Sequence, residues 1–221
     1  MSVWAVLAAA GRGERLGEDR PKAFAKLRGR PLLAESLERL DASAWVDAIV
    51  IVVPPGWEEP SILLAEELAA SKVAACVAGG ETRAESVRAG VAEVSEDATV
   101  IVVHDAARPA LPEEVLERVL TALNEGWEGV VPALPLADTI KRVRDRQVVE
   151  TLPREELAAA QTPQAFLAPV LREAFAGDIA GATDCAALVE ARGGRVTTVA
   201  GDPRLRKVTD AADLDLVGSW L

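Results

Sequence analysis

Val3-Trp4-Ala5-Val6-Leu7-Ala8-Ala9-Ala10-Gly11-Arg12-Gly13-Glu14-Arg15-Leu16-Gly17, running on to Pro21-Lys22, is the stretch that decides how this chain of 221 residues is read. Val3 to Ala8 is apolar without a break, which marks a strand buried on both faces. The backbone then enters three closely spaced glycines, which permit a tight turn and present bare N–H groups. Arg15 and Lys22 add fixed positive charge beside them. A strand feeding a loop of glycines and cations suits the phosphates of a nucleoside triphosphate. The spacing is G-x-G-x-x-x-G, with Leu16 where a dinucleotide fingerprint needs its third glycine, and no G-x-x-x-x-G-K-[ST] run occurs anywhere. The loop therefore fits neither a dinucleotide-dependent dehydrogenase nor a Walker-type nucleotidase.

The charge balance sharpens this. The chain carries 24 Lys and Arg against 35 Asp and Glu, a formal charge of -11. That argues against a nucleic-acid or anionic-membrane surface. Residues 11–30 nevertheless sum to +4 while the remainder sums to -15. Positive charge is concentrated where the glycines are. Half the residues are hydrophobic, enough for a full core in a chain the size of one large domain. Cys76 and Cys185 stand far apart in apolar settings with no zinc spacing, which indicates a reducing, cytoplasmic setting. The apolar start is too short for a membrane span and runs directly into the glycine loop.

Outward from the first strand the pattern alternates. Short apolar runs at Val3–Ala8, Ala48–Val53, Val73–Ala78, Thr99–His104 and Gly129–Ala133 predict strands. Helical periodicity at Pro31–Leu40, Trp57–Ala70, Thr82–Val94 and Pro112–Asn124 fills the gaps. The expectation is a three-layer α/β/α, doubly wound and mostly parallel sheet. After Pro135 the rhythm breaks. Residues 138–152 read as two strands about a polar turn with no helix to cover them. Such a ribbon is marginal alone, so it packs against another subunit or lies as a solvent hairpin on the sheet's edge. Helices at Ala168–Ala176, Asp184–Ala191 and Asp210–Trp220 and a strand at Val196–Ala200 complete the pattern.

Other motifs fall at the ends of these elements. His104-Asp105-Ala106-Ala107-Arg108-Pro109 closes a buried strand, where open α/β sheets gather ligands. Asp105 suits ribose hydroxyls or water on a Mg²⁺ ion, and Arg108 suits a phosphate. His104, the only histidine, reads as a core residue with one satisfied nitrogen. A hydrolase triad through it lacks a G-x-S-x-G elbow. Gly79-Gly80-Glu81-Thr82-Arg83-Ala84-Glu85-Ser86-Val87 places a glycine pair before a helix, with Thr82 and Glu85 as a capping box and free N–H groups for an anion. Thr183-Asp184 reads as a helix cap.

Taken in order, these pieces resemble one family, the 2-C-methyl-D-erythritol 4-phosphate cytidylyltransferases, over nearly the whole chain. The shared residues are the glycine loop with Pro21-Lys22, Gly79-Gly80 with Arg83 and Ser86-Val87, Asp105-Ala106-Ala107-Arg108-Pro109, Asp138-Thr139, Arg154, Thr162-Pro163-Gln164, Thr183-Asp184 and Lys207-Val208-Thr209. The resemblance implies one nucleotidyltransferase domain over 1–221, of the nucleotide-diphospho-sugar transferase type, with a dimerisation arm at about 136–154. It implies a homodimer that joins CTP to a methylerythritol phosphate with Mg²⁺ in the non-mevalonate isoprenoid pathway. By position, Arg15 and Lys22 would stabilise the transition state, and Arg154 and Lys207 would hold the attacking phosphate. Ala9, Ala10, Gly11, Gly13, Gly79, Gly80, Ser86, Asp105 and Ala106 would bind the nucleotide. Asp105, Arg108, Thr139, Arg154, Thr162 and Lys207 would bind the acceptor, with Thr139, Arg154 and Thr162 offered across the dimer interface. Mg²⁺ would be held mainly by the CTP phosphates, with Asp105 as the candidate protein ligand. Two residues depart from the family pattern: Ala8 replaces a common proline, and Glu14 replaces a second arginine. Rivals are a ribitol 5-phosphate cytidylyltransferase and a nucleotide-binding module without catalysis.

Overall fold

The computed structural model describes residues 1–11, 13 and 20–221. Its centre is an eight-stranded sheet built from β1 (Val3–Ala8), β4 (Ala48–Val53), β5 (Val73–Ala78), β6 (Val100–Asp105), β7 (Gly129–Pro135), β10 (Ala158–Ala160), β11 (Gln164–Leu167) and β12 (Val196–Ala200). Two short strands, β2 (Lys26–Leu27) and β3 (Arg30–Pro31), form a small hairpin apart from it. Strands β1, β4, β5 and β6 run parallel, with Trp4 opposite Ala48 on one side and Ile101 on the other.

The layers follow from alternation along each strand. In β1, Val3, Ala5 and Leu7 point to one face and Val6 to the other. Ile49, Ile51 and Val53 of β4 join the first face, and Val50 and Val52 the second. The first face is covered by α1 (Leu32–Ala42), α2 (Glu58–Glu67) and α4 (Glu113–Asn124), through residues such as Leu37, Ala65 and Leu116. The second is covered by α3 (Arg83–Ala92), α5 (Ala168–Phe175) and α6 (Cys185–Glu190), through Val87, Leu171 and Val189. A strand sandwiched this way loses water from both sides, which is why its sequence is apolar throughout. The last helix, α7 (Ala211–Gly218), packs with Leu27 and Val208 in a smaller cluster.

The expected mostly parallel, helix-flanked α/β sheet is present, with two additions: β10 pairs antiparallel with β7, Ala159 opposite Leu134, and β11 lies within the sheet. Strand β11 runs antiparallel between β6 and β7, pairing Ala165 with Val102 and with Val130. Four residues leading straight into a helix carry too little pattern to announce a strand.

Past β7 the chain leaves the sheet as a separate hairpin, β8 (Ile140–Arg144) and β9 (Gln147–Leu152). Its turn places both Asp145 and Arg146 at positive φ, 47° and 66°. That is the geometry of a two-residue turn matched to strand twist. Val143, Val148 and Val149 are each more than half exposed on it.

Candidate active site

A cavity of about 520 Å³ opens at the C-terminal ends of β1 and β6, within the usual range for a small-molecule site. Ala9, Ala10, Gly11, Gly13 and Lys22 form one wall, Gly80, Arg83 and Ser86 a second, and Asp105, Ala106 and Lys207 a third. The first wall is the glycine loop returning on itself. The Lys22 backbone N–H donates to the Gly11 carbonyl at 3.2 Å. Gly13 has a φ of +74°, and a Cβ there would come 2.8 Å from Lys22 Cβ. A left-handed backbone against a close neighbour requires glycine. Arg15 lies outside the described residues.

The second wall begins beneath the first. A Cβ on Gly79 would meet Ala10 Cβ at 2.6 Å and Ser86 Oγ at 2.7 Å. The glycine therefore lets the helix start pack directly under the loop. The predicted capping box is formed: Thr82 Oγ1 accepts from the Glu85 N–H, and the Glu85 carboxylate accepts from the Thr82 N–H. Ser86, buried, donates its hydroxyl to the Thr82 carbonyl at 2.8 Å.

Asp105 is the centre of the third wall. Its Oδ1 accepts from Arg83 Nε at 3.0 Å and Nη2 at 2.9 Å, and its Oδ2 accepts from Lys207 Nζ at 2.7 Å. Burial by itself would raise this carboxyl. Arg83 first, then Lys207, reverse that and hold it far below the usual carboxylate range. The same pairing raises Arg83 against its own burial. The result is a row of three charges, cation–anion–cation, across the cavity wall. Arg83 Nη1 also contacts Cys185 Sγ at 3.8 Å, and burial pushes that thiol up to about 11.

Behind Asp105 lies a relay. The Asp105 backbone N–H donates to Thr162 Oγ1 at 3.0 Å. Thr162 Oγ1 lies 3.2 Å from His104 Nδ1, and His104 Nε2 lies 3.1 Å from the Arg108 carbonyl. One neutral tautomer satisfies every contact: Nε2–H donates to the carbonyl, and Nδ1 accepts from the hydroxyl. His104 is thus a core residue, with both nitrogens engaged rather than one. The resemblance implies Thr162 as an acceptor contact offered across a dimer interface. Here it is 3% exposed, and its hydroxyl is committed to this relay. Its link to the cavity wall is the Asp105 backbone N–H. Arg108 likewise turns from the cavity and donates Nη1–H to the Leu205 carbonyl, with burial lowering its pKa.

Burial sets the titration of His104. Desolvation, partly offset by the Asp105 charge, lowers it from 6.5 to about 4. Between those values the unfolded chain binds a proton that the folded chain does not. Stability therefore falls as pH drops from about 6.5 to about 4 and levels off below. The whole window corresponds to about 3 kcal/mol. Urea unfolding at about pH 7, 5.5 and 4.5 checks this. The His104→Gln variant should show a shallower pH slope than wild type, and equal slopes would count against the assignment.

Thr139 and Arg154 stand elsewhere. With Thr151 and Pro153 they line a smaller hollow at the root of the β8–β9 arm. Arg154 is exposed and donates to the Ala137 carbonyl. Within one chain they do not line the cavity that holds Lys22 and Lys207.

The sequence reading quoted Arg83 without giving it a task, yet it lines the cavity and fixes Asp105. Its position as the first residue of α3, just after the glycine pair, is the signal that points to it. Thr209 also lines the cavity. Among the described residues, no group of three or more His, Cys, Asp or Glu is placed to hold a metal ion. No helix of the described residues is long and apolar enough to cross a membrane. Both cysteines are free.

A mostly parallel α/β sheet with a cation-lined cavity at its strand ends suits nucleotide phosphates, and comparison with known proteins places the chain among the nucleotidyltransferases. Residues 3–221 match the family model described as 2-C-methyl-D-erythritol 4-phosphate cytidylyltransferase, and the chain belongs to that family. A relative of that name from Nocardia farcinica is 46% identical over 221 residues, covering 100% of this chain and 94% of the relative. One from Frankia casuarinae is 44% identical, covering 99% and 81%. The crystal structure of the Thermus thermophilus enzyme of that name superposes with a TM-score of 0.80 at 32% identity, covering 100% and 98%.

Proposed function

We propose that this chain catalyses the reaction for which its family is named. A phosphate oxygen of 2-C-methyl-D-erythritol 4-phosphate attacks the α-phosphorus of CTP. The new P–O bond forms as the bond from that phosphorus to the bridging oxygen breaks, and its electron pair departs with pyrophosphate. The products are 4-diphosphocytidyl-2-C-methyl-D-erythritol and pyrophosphate, and the reaction belongs to the non-mevalonate isoprenoid pathway. The observation that supports this most is that Lys22 of the glycine loop, Arg83 and Lys207 line one and the same cavity.

A phosphate monoester has a second pKa of about 6, so the nucleophile is largely dianionic at neutral pH and needs no general base. The obstacle is bringing one anion to another. In our reading Lys22 and Arg15 neutralise charge gathering on the α-phosphate and the departing pyrophosphate. Lys207, and Arg154 from a second subunit, hold the attacking phosphate in line. Ala9, Ala10, Gly11, Gly13 and Ala106 form the nucleotide cradle, with Gly79, Gly80 and Ser86 beneath it. Thr139 addresses the acceptor's hydroxyls, and Asp105 holds Lys207 toward its phosphate.

Mg²⁺ fits this site in one way. Asp105 and Glu81 are the acids at the cavity wall; Asp105 is the one at the end of β6, and three of its four lone-pair positions are occupied by Arg83 and Lys207. An ion carried in by the triphosphate, with Asp105 as its one protein ligand, matches how Mg²⁺ is bound with substrate phosphates. When bound it supplies further neutralisation of the phosphate oxygens.

The separation of Arg154 and Thr139 from the main cavity is the reason we assign the arm to a homodimer contact. Residues 1–221 then form one domain, with the arm at about 136–154 reaching a partner. A reducing cytoplasm, where Cys76 and Cys185 stay thiols, completes the proposal. The test is pyrophosphate release with CTP or UTP, against methylerythritol phosphate or ribitol 5-phosphate, with and without Mg²⁺. Release is expected with CTP, methylerythritol phosphate and Mg²⁺ together. Preference for ribitol 5-phosphate would reassign the acceptor. CTP binding without release would make the chain a nucleotide-binding module.

A further inference from the structure

Lys207 lies on the connection between a 3-10 turn at Pro203–Leu205 and α7, and one carboxylate grips the residues on both sides of it. Asp213 Oδ1 accepts from Arg206 Nε at 2.6 Å. Its Oδ2 accepts from the Thr209 backbone N–H at 2.9 Å and from the Thr209 hydroxyl. Between these points Val208 is fully buried and donates its N–H to the Ala107 carbonyl at 2.8 Å. Lys207 is the residue of this stretch that reaches Asp105.

The helix does not need this carboxylate for its own cap. Asp210 supplies that, accepting from the Asp213 N–H at 2.9 Å. A buried acid, 4% exposed, is thus spent on the loop in front of its helix. Thr209 first, then Arg206, hold the Asp213 carboxyl at about 2 against the opposing effect of burial, so it is anionic at neutral pH. An anion accepting three hydrogen bonds makes a rigid clamp, because charge-assisted bonds are short and strong.

We propose that Asp213 is a positioning residue that presents Lys207 to the acceptor phosphate. This rests on the assignment of Lys207 made above. Asp213 touches no reacting atom. Its effect is to fix the backbone from which the ammonium projects, and misplacement by about 1 Å costs on the order of a hundredfold in rate.

The test is a double-mutant cycle in steady-state kinetics, with CTP binding measured in parallel. Asp213→Asn is expected to lower kcat/KM for methylerythritol phosphate by roughly tenfold to a hundredfold, and to leave CTP affinity within about twofold. In a Lys207→Ala background the same substitution should cost nothing further, because the residue it positions is gone. Equal losses in both backgrounds, or a matching loss of CTP affinity, would overturn the proposal. If Asp213→Asn does not fold, Arg206→Ala carries the same cycle, since it removes only the Oδ1 contact from a largely exposed side chain. A wild-type chain that releases no pyrophosphate removes the functional reading and this inference with it. An active wild type with additive losses removes the inference alone.

Discussion

Replacing Lys22 by alanine is expected to lower kcat by about 10²–10³-fold, with CTP affinity changed far less. The backbone of Lys22 closes the glycine loop through the Gly11 carbonyl. An alanine keeps that bond and removes only the ammonium. What is lost is charge placed for the transition state, where negative charge gathers as pyrophosphate leaves. A single preorganised donor of this kind contributes roughly 3–4 kcal/mol. An interaction stronger in the transition state than in the ground state appears in kcat rather than in binding. Single-turnover rates at saturating CTP, with calorimetric CTP binding beside them, separate the two. Near-normal turnover would remove Lys22 from the chemistry. Arg15→Ala is expected to behave alike, on the strength of the sequence reading alone.

The second large effect is recovery rather than loss. Arg154→Ala and Lys207→Ala should each be nearly inactive as pure preparations. Mixed dimers of the two should regain roughly half the wild-type rate, since a two-fold pair built from complementary chains contains one intact site and one doubly damaged site. Lys207 lines the main cavity, while Arg154 lines a hollow at the arm's root. Heterodimers isolated with two different affinity tags give the measurement. Inactive, verified heterodimers would mean that the two residues do not share a site across subunits.

Much of this could be read from the chain because buried parallel strands announce themselves. Val3–Ala8, Ala48–Val53 and Val73–Ala78 form strands over the residues expected. The capping box at Thr82 and the turn of the arm were equally legible, since both depend on residues close in sequence. Two features were not. Strand β11 is four residues long, and its place between β6 and β7 depends on partners on other strands. The ion row of Arg83, Asp105 and Lys207 joins residues 22 and 102 positions apart. Each is an ordinary surface charge until the sheet brings its loops to one end. Thr162 shows the converse. A motif residue expected to meet substrate is turned inward, because the Asp105 N–H and a buried imidazole both needed a partner.

The late insertion of β11 also governs how the chain must be made. Strand β6 emerges from the ribosome well before residues 164–167 exist to cover its outer side. Until then the unpaired N–H and C=O groups along that edge are an open template for any extended segment, including one from a neighbouring nascent chain. A chain stopped between α4 and β11 holds most of its hydrophobic strands and lacks the piece that seals them. Such fragments belong to the aggregation-prone species of multi-strand folding. The site and the safety of the half-made chain thus depend on the same short segment, which closes the sheet and brings Thr162 behind Asp105.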